Sequence, residues 1–247
     1  MASIRLNSRI QLSSVLGVVA VVATSLLLAA GPARAGLIFT EVMYNPDSSE
    51  PGWEWLEVYN PDASAVNLAG AVLDDTAGTA LGASNIASGS VPAHQTAILY
   101  NADLLLGTDF ESAWGSPINV IGVTSWPALN QGGDQIGLWT SLANYGSRDF
   151  ANAEIDLTYD NFANGWPDDD TFASIYLVGG PLNVGSNWAL SVSGVNGAYT
   201  SSASGGNSGL DVGSPGTIQG VPEPTASLLL GLGLAGVAIL RRRHAQA

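Results

Sequence analysis

Between Glu54 and Asn60 the chain reads Glu-Trp-Leu-Glu-Val-Tyr-Asn. Two side-chain sets alternate in it with period 2, Leu56 and Val58 on one face, Trp55 and Tyr59 on the other. Extended backbone is what sends successive side chains to opposite faces, and the aromatic and β-branched content suits a pleated surface. Pro61 has no N–H to give to a ladder, so the strand stops there and Asn60-Pro61-Asp62 becomes a turn. From Gly36 onward the same grammar repeats: short apolar runs separated by Gly, Asn, Asp, Ser and Pro about every ten residues. Strands are predicted at 37–44, 55–60, 71–73, 95–101, 134–140, 155–159, 174–178 and 188–192. A helical period is absent, and only 103–114, with Leu104, Leu105, Leu106 and Phe110 clustered, suggests a helical turn. Residues 194–220 turn to Gly, Ser, Asn and Thr, a composition with little apolar surface to bury, and are expected to be flexible.

The two ends are different. Arg5 and Arg9 precede an apolar run at 15–30, then Gly31-Pro32 and Ala33-Arg34-Ala35. A charged start, an apolar run and an A-x-A site read as a secretory signal peptide over 1–35, cut between Ala35 and Gly36. At the other end Pro222-Glu223-Pro224 leads into sixteen mostly apolar residues, 225–240, and then Arg241, Arg242 and Arg243. As a helix these would rise about 24 Å. Local thinning and snorkelling arginines can adapt that length to a hydrocarbon core of about 30 Å. The arginines stay on the cytoplasmic side, which places everything from Gly36 to Val221 outside.

Charge narrows the partners. Between residues 36 and 220 there are 20 acids against Arg148, formally −19, and the 247-residue chain has neither lysine nor cysteine. Such a surface repels phosphate backbones and anionic lipid, so nucleic acid is disfavoured as a partner. Without cysteine there is no disulfide framework and no thiolate zinc site.

With the central strand comes a resemblance. Leu37 to Pro46, Glu54 to Asn60 and Leu68-Ala69-Gly70 resemble the entry strand, the central Glu-aromatic-apolar-Glu-apolar-Tyr-Asn motif and the Leu-x-Gly turn of the lamin-tail domain. Gly133 to Leu138, Trp188 and Ser214-Pro215-Gly216 match its later features. The resemblance implies an all-β, immunoglobulin-like sandwich over 36–217, followed by a short linker at 218–221. The tail, 222–247, resembles the PEP-CTERM sorting signal: a Pro-Glu-Pro motif, a transmembrane helix at 225–240 and a basic tail at 241–247. That resemblance implies an exosortase and signal peptidase as processing partners, a membrane-anchored precursor, and a final place at the cell surface or in the extracellular matrix of a Gram-negative-type bacterium. Ser and Thr of the 200–208 tract are then expected to carry O-glycans.

Catalytic groupings are sparse. His94, before a strand, would need an oriented partner to act as a base, and no G-x-S-x-G accompanies it. Glu54 and Glu57, three apart on a strand, point to opposite faces and do not flank one bond. Asp168, Asp169, Asp170 and the pair Asp74, Asp75 are the best acidic clusters, weak candidates for calcium with no EF-hand spacing. Several tryptophans fall at turns, and an exposed ring at Trp53 or Trp166 would suit stacking on a sugar. The sequence therefore reads as a non-enzymatic exported protein without a cofactor, its sandwich making binding or structural contacts. Its partners would be extracellular polysaccharide or matrix proteins. The alternatives are a calcium-assisted polysaccharide-binding module and a cryptic secreted hydrolase.

Overall fold

The computed structural model describes residues 36–160, 163–168 and 172–218. The signal-peptide reading of 1–35, Asp169, Asp170, Pro222-Glu223-Pro224, the helix at 225–240 and Arg241 to Arg243 lie outside the described residues.

All eight predicted strands are present. They are β1 (Ile38–Met43), β2 (Trp55–Tyr59), β4 (Val72–Asp75), β6 (Thr96–Asn101), β8 (Gly133–Trp139), β9 (Ile155–Asp160), β10 (Ile175–Leu177) and β11 (Trp188–Leu190). Around them lie β3 (Val66–Asn67), β5 (Ser90–Val91), β7 (Val120–Val123), β12 (Tyr199–Thr200) and β13 (Val212–Gly213). One sheet has the order β11-β10-β1-β2-β6-β7, and a second has the order β4-β8-β9. Pairing is antiparallel except between β6 and β7.

The two sheets pack face to face. Leu56 and Val58 of β2 join Phe39, Val42, Leu99, Ile136, Leu138, Leu157 and Ile175 in one buried core, as the period-2 reading requires. Trp55 points the other way. With Met43, Trp53, Ile98 and Tyr100 it meets Phe110 and Trp114 of α1 (Gly107–Trp114), the turn of helix expected within 103–114. The Trp55 ring stands edge-on to Trp114 at 5.7 Å and to Phe110 at 6.1 Å, and each such aromatic contact adds about 0.5–1.5 kcal/mol beyond area burial. Outside the smaller sheet, Val72 and Trp139 pack on Tyr145 of α2 (Leu142–Tyr145). Among the described residues no helix is long and apolar enough to cross a membrane.

The Gly/Ser tract corrects the sequence reading. Residues 198–217 form a strap across the Trp55 face, where β12 and β13 pair with each other. Asp211 is fully buried and accepts hydrogen bonds from the Asp47 amide (2.5 Å), Ser48 Oγ (2.6 Å) and Asn207 Nδ2 (2.9 Å). The Ser202 amide donates to Ala113 O at 2.8 Å, and Tyr199 Oη donates to Trp114 O. Polar side chains supply through hydrogen bonds the attachment that composition denies to apolar packing.

Candidate functional site

Two places gather chemistry. The first lies under the strap. Glu41 of β1 and Glu57 of β2 are register partners, so their side chains share one face, and both residues are 1% exposed. Glu41 accepts from Ser174 Oγ, from Ser191 Oγ at 3.2 Å, and from the amide and hydroxyl of Ser214 at 2.8 and 2.7 Å. Glu57 accepts from Thr40 Oγ1 and from the Gly216 amide, both at 2.7 Å. A Cβ on Gly213 would come within 2.9 Å of the Trp55 ring and 3.2 Å of Glu41 Oε1, so only glycine lets the strap approach this closely. The two carboxyls therefore hold Ser214 and Gly216, the ends of the Ser-Pro-Gly turn.

Among the described residues no cationic side chain neutralises them. Between residues 36 and 218 the basic side chains are Arg148 and His94. Arg148 Nε is bound to Asp74 at 2.8 Å on the other sheet, and His94 is exposed in a turn with φ +55°. Burial raises Glu41 above the ordinary carboxyl range, against the bonds from Ser174, Ser214 and Ser191. Burial, helped by the Glu41 charge, pushes Glu57 up to about 8. The pair keeps a proton at neutral pH because two like charges in a water-excluded site cannot both ionise cheaply.

The second place is a cleft of about 640 Å³ at the end of the smaller sheet, lined among others by Asp75, Asn130, Asp134, Tyr159, Asn164 and Trp166. Asp134 accepts from the Gln135 amide at 2.7 Å and is raised by burial. Burial, with Asp134 and Asp74 close by, pushes Asp75 up to about 6. Glu54, within reach of the Asp134 charge, accepts from Trp126 Nε1 (2.8 Å) and the Leu129 amide (2.9 Å), and burial pushes it up to about 7. Carboxylates and amides around aromatic edges offer acceptors and donors to a hydroxyl-rich ligand and repel an anionic one.

The structure separates the candidates named from sequence. Asp74 is committed to Arg148 and to Tyr145 Oη (2.5 Å), whereas its neighbour Asp75 faces the cleft. Asp168 is half-buried after Trp166-Pro167. Among the described residues no group of three or more His, Asp or Glu side chains is arranged to hold a metal ion. Trp53 is 2% exposed and stacks on Phe110, and Trp166 is 7% exposed and packs against Trp188, so neither presents an open ring face. Glu54 and Glu57 do point apart, one to Trp126 and the other to Gly216. Sequence reasoning missed the role of Glu41 and Glu57; the available signal was two glutamates inside apolar strands of a segment, 36–220, whose sole arginine is Arg148.

The lamin tail domain profile matches residues 30–160, just over half of the chain. The chain belongs to the lamin tail domain family. No curated protein and no solved structure matches it. A second profile, the PEP-CTERM protein-sorting motif, matches residues 220–243. The lamin tail match ends with β9, yet β10 and β11 extend the larger sheet from β1, and the strap covers that sheet's outer face. In this member of the family, residues beyond 160 thus complete the fold.

Proposed function

We propose that this chain is an exported cargo of an exosortase, a non-enzymatic lamin-tail protein that ends at the cell surface or in the extracellular matrix. The observation that carries the reading is the PEP-CTERM match at 220–243, which begins two residues after the last described position of the strap. The chain would be exported, cut after Ala35, held by the helix at 225–240 with Arg241 to Arg243 inside, and processed at Pro222-Glu223-Pro224. Prolines on both sides of Glu223 favour an extended backbone, the form in which a peptide enters a processing site. Replacing Pro222, Glu223 and Pro224 together by alanine should leave uncleaved chain in the membrane fraction of an exosortase-bearing host. Unchanged release to the surface would refute the reading.

A second reading, extracellular polysaccharide binding, is favoured by the cleft around Asp75, Asp134 and Trp166. Retention of the protein on neutral polysaccharide, compared between wild type and Asp134→Ala with and without chelator, tests it and its calcium dependence. Equal retention of the two proteins would place any binding elsewhere.

A further inference from the structure

The glutamate pair under the strap has no part in sorting or in the cleft, and it is placed where a switch would be. We propose that residues 198–217 are a proton-operated strap: Glu41 and Glu57 hold it closed while they share a proton, and loss of that proton releases it from the sandwich.

Uncharged groups surround the pair. From β1 comes Thr40, from β6 Thr96, from the segments flanking β10 and β11 Ser174 and Ser191, and from the strap Ser214 and the Gly216 amide. These are hydroxyls and amides, without charge. The further titratable group facing Glu41 is Tyr199 of the strap, which burial and the Glu41 charge push up to about 12, so it stays neutral. Asp211, also on the strap, is saturated by Asp47, Ser48 and Asn207. Among the described residues nothing but a proton can therefore lower the pair's charge while the strap is closed.

Opening the strap admits water to both carboxyls, which then return to the ordinary carboxyl value near 4.5 and lose the proton. Closure binds a proton and opening releases one. Opening thus becomes up to about tenfold more favourable per pH unit above the open-state value, until the closed pair itself ionises near 8. Apart from the Tyr199 ring edge-on to Trp114 and the short parallel bridge of Val212 to Ala173, the strap is attached by hydrogen bonds and small side chains, features of a unit less stable than the sheet beneath it. On the sorted-cargo reading, its release adds twenty residues to the tether between the sandwich and Pro222-Glu223-Pro224. Fully extended, those residues span at most about 70 Å.

Hydrogen exchange on the full chain in detergent micelles, corrected for intrinsic exchange, tests the strap independently of sorting. Protection of the Ser214, Gly216 and Thr217 amides should fall at least tenfold from pH 6 to pH 8, and stay below that of β2 amides throughout. Glu57→Gln should shrink the fall, and Glu41→Gln/Glu57→Gln should remove it. Strap protection that is unchanged over this range, or equal to that of β2 at every pH, would overturn the proposal. So would an undiminished fall in Glu57→Gln. Should either variant fail to fold, the wild-type comparison of strap with β2 still decides.

Discussion

Replacing Asp211 by alanine tests directly how a Gly/Ser-rich tract is held in place. The carboxylate serves three donors, the Asp47 amide, Ser48 Oγ and Asn207 Nδ2. Asp47 is exposed, so water can take over its amide, but Asn207 Nδ2, in a residue 6% exposed, would keep a buried donor without an acceptor, and Ser48 Oγ, in a residue 5% exposed, would exchange a 2.6 Å bond for a longer one to Ser208 Oγ at 3.3 Å. Each such loss costs about 1–3 kcal/mol. Because the two donors share one site, their losses are less than additive, and a total of about 2–4 kcal/mol is expected. At about 2–4 °C per kcal/mol for a domain of this size, the thermal midpoint should drop by roughly 5–15 °C. All seven tryptophans lie between residues 53 and 188, so their fluorescence reports the melting of the sandwich. Limited subtilisin digestion should show new cuts within 200–210 before the midpoint changes the core. A shift below about 2 °C with no new cleavage would refute the hydrogen-bonded attachment.

Other perturbations separate the remaining claims. Leu138→Ala, at a fully buried position of β8, should destabilise by about 2–5 kcal/mol. Leu104→Ala, at a residue 60% exposed, should change the midpoint by no more than about 2 °C in the same melts. Asp74→Ala leaves Arg148 and Tyr145 without their shared acceptor and should cost about 3–5 kcal/mol, measured by denaturant unfolding. Glu54 is raised from 4.5 to about 7 by burial, so the native state binds more protons than the unfolded chain in that window. Its contribution is full below pH 4.5 and is lost as pH rises toward 7. Glu54→Gln should therefore flatten the fall of the thermal midpoint between pH 5 and pH 7, and an unchanged slope would contradict this.

Legibility in the sequence followed the physics of each element. Strands that bury a face, such as Leu56 and Val58 of β2 or Ile155, Leu157 and Tyr159 of β9, announce themselves by alternation. β7 does not, because Val120-Ile121-Gly122-Val123 is short, carries a glycine, and is defined by a parallel pairing to β6. The strap was invisible to composition, since Asp211, Ser214 and Gly216 attach it by hydrogen bonds to Ser48, Glu41 and Glu57, some 160 residues away. The cleft likewise arises where the ends of β4 and β8 meet a loop, bringing Asp75, Asp134 and Asn164 together. Trp53 and Trp166 lie in turn-like sequence, yet each packs against another ring that spacing does not reveal.

The central claim is that the sandwich is the mature part of a sorted cargo, and the two termini of that mature protein measure it. The full chain should be expressed in hosts with and without an exosortase and the termini read by intact-protein and peptide mass spectrometry. The account expects a start at Gly36 in both hosts, and an end near Pro224 only where the exosortase is present. A chain that still ends at Ala247 in both hosts would contradict it.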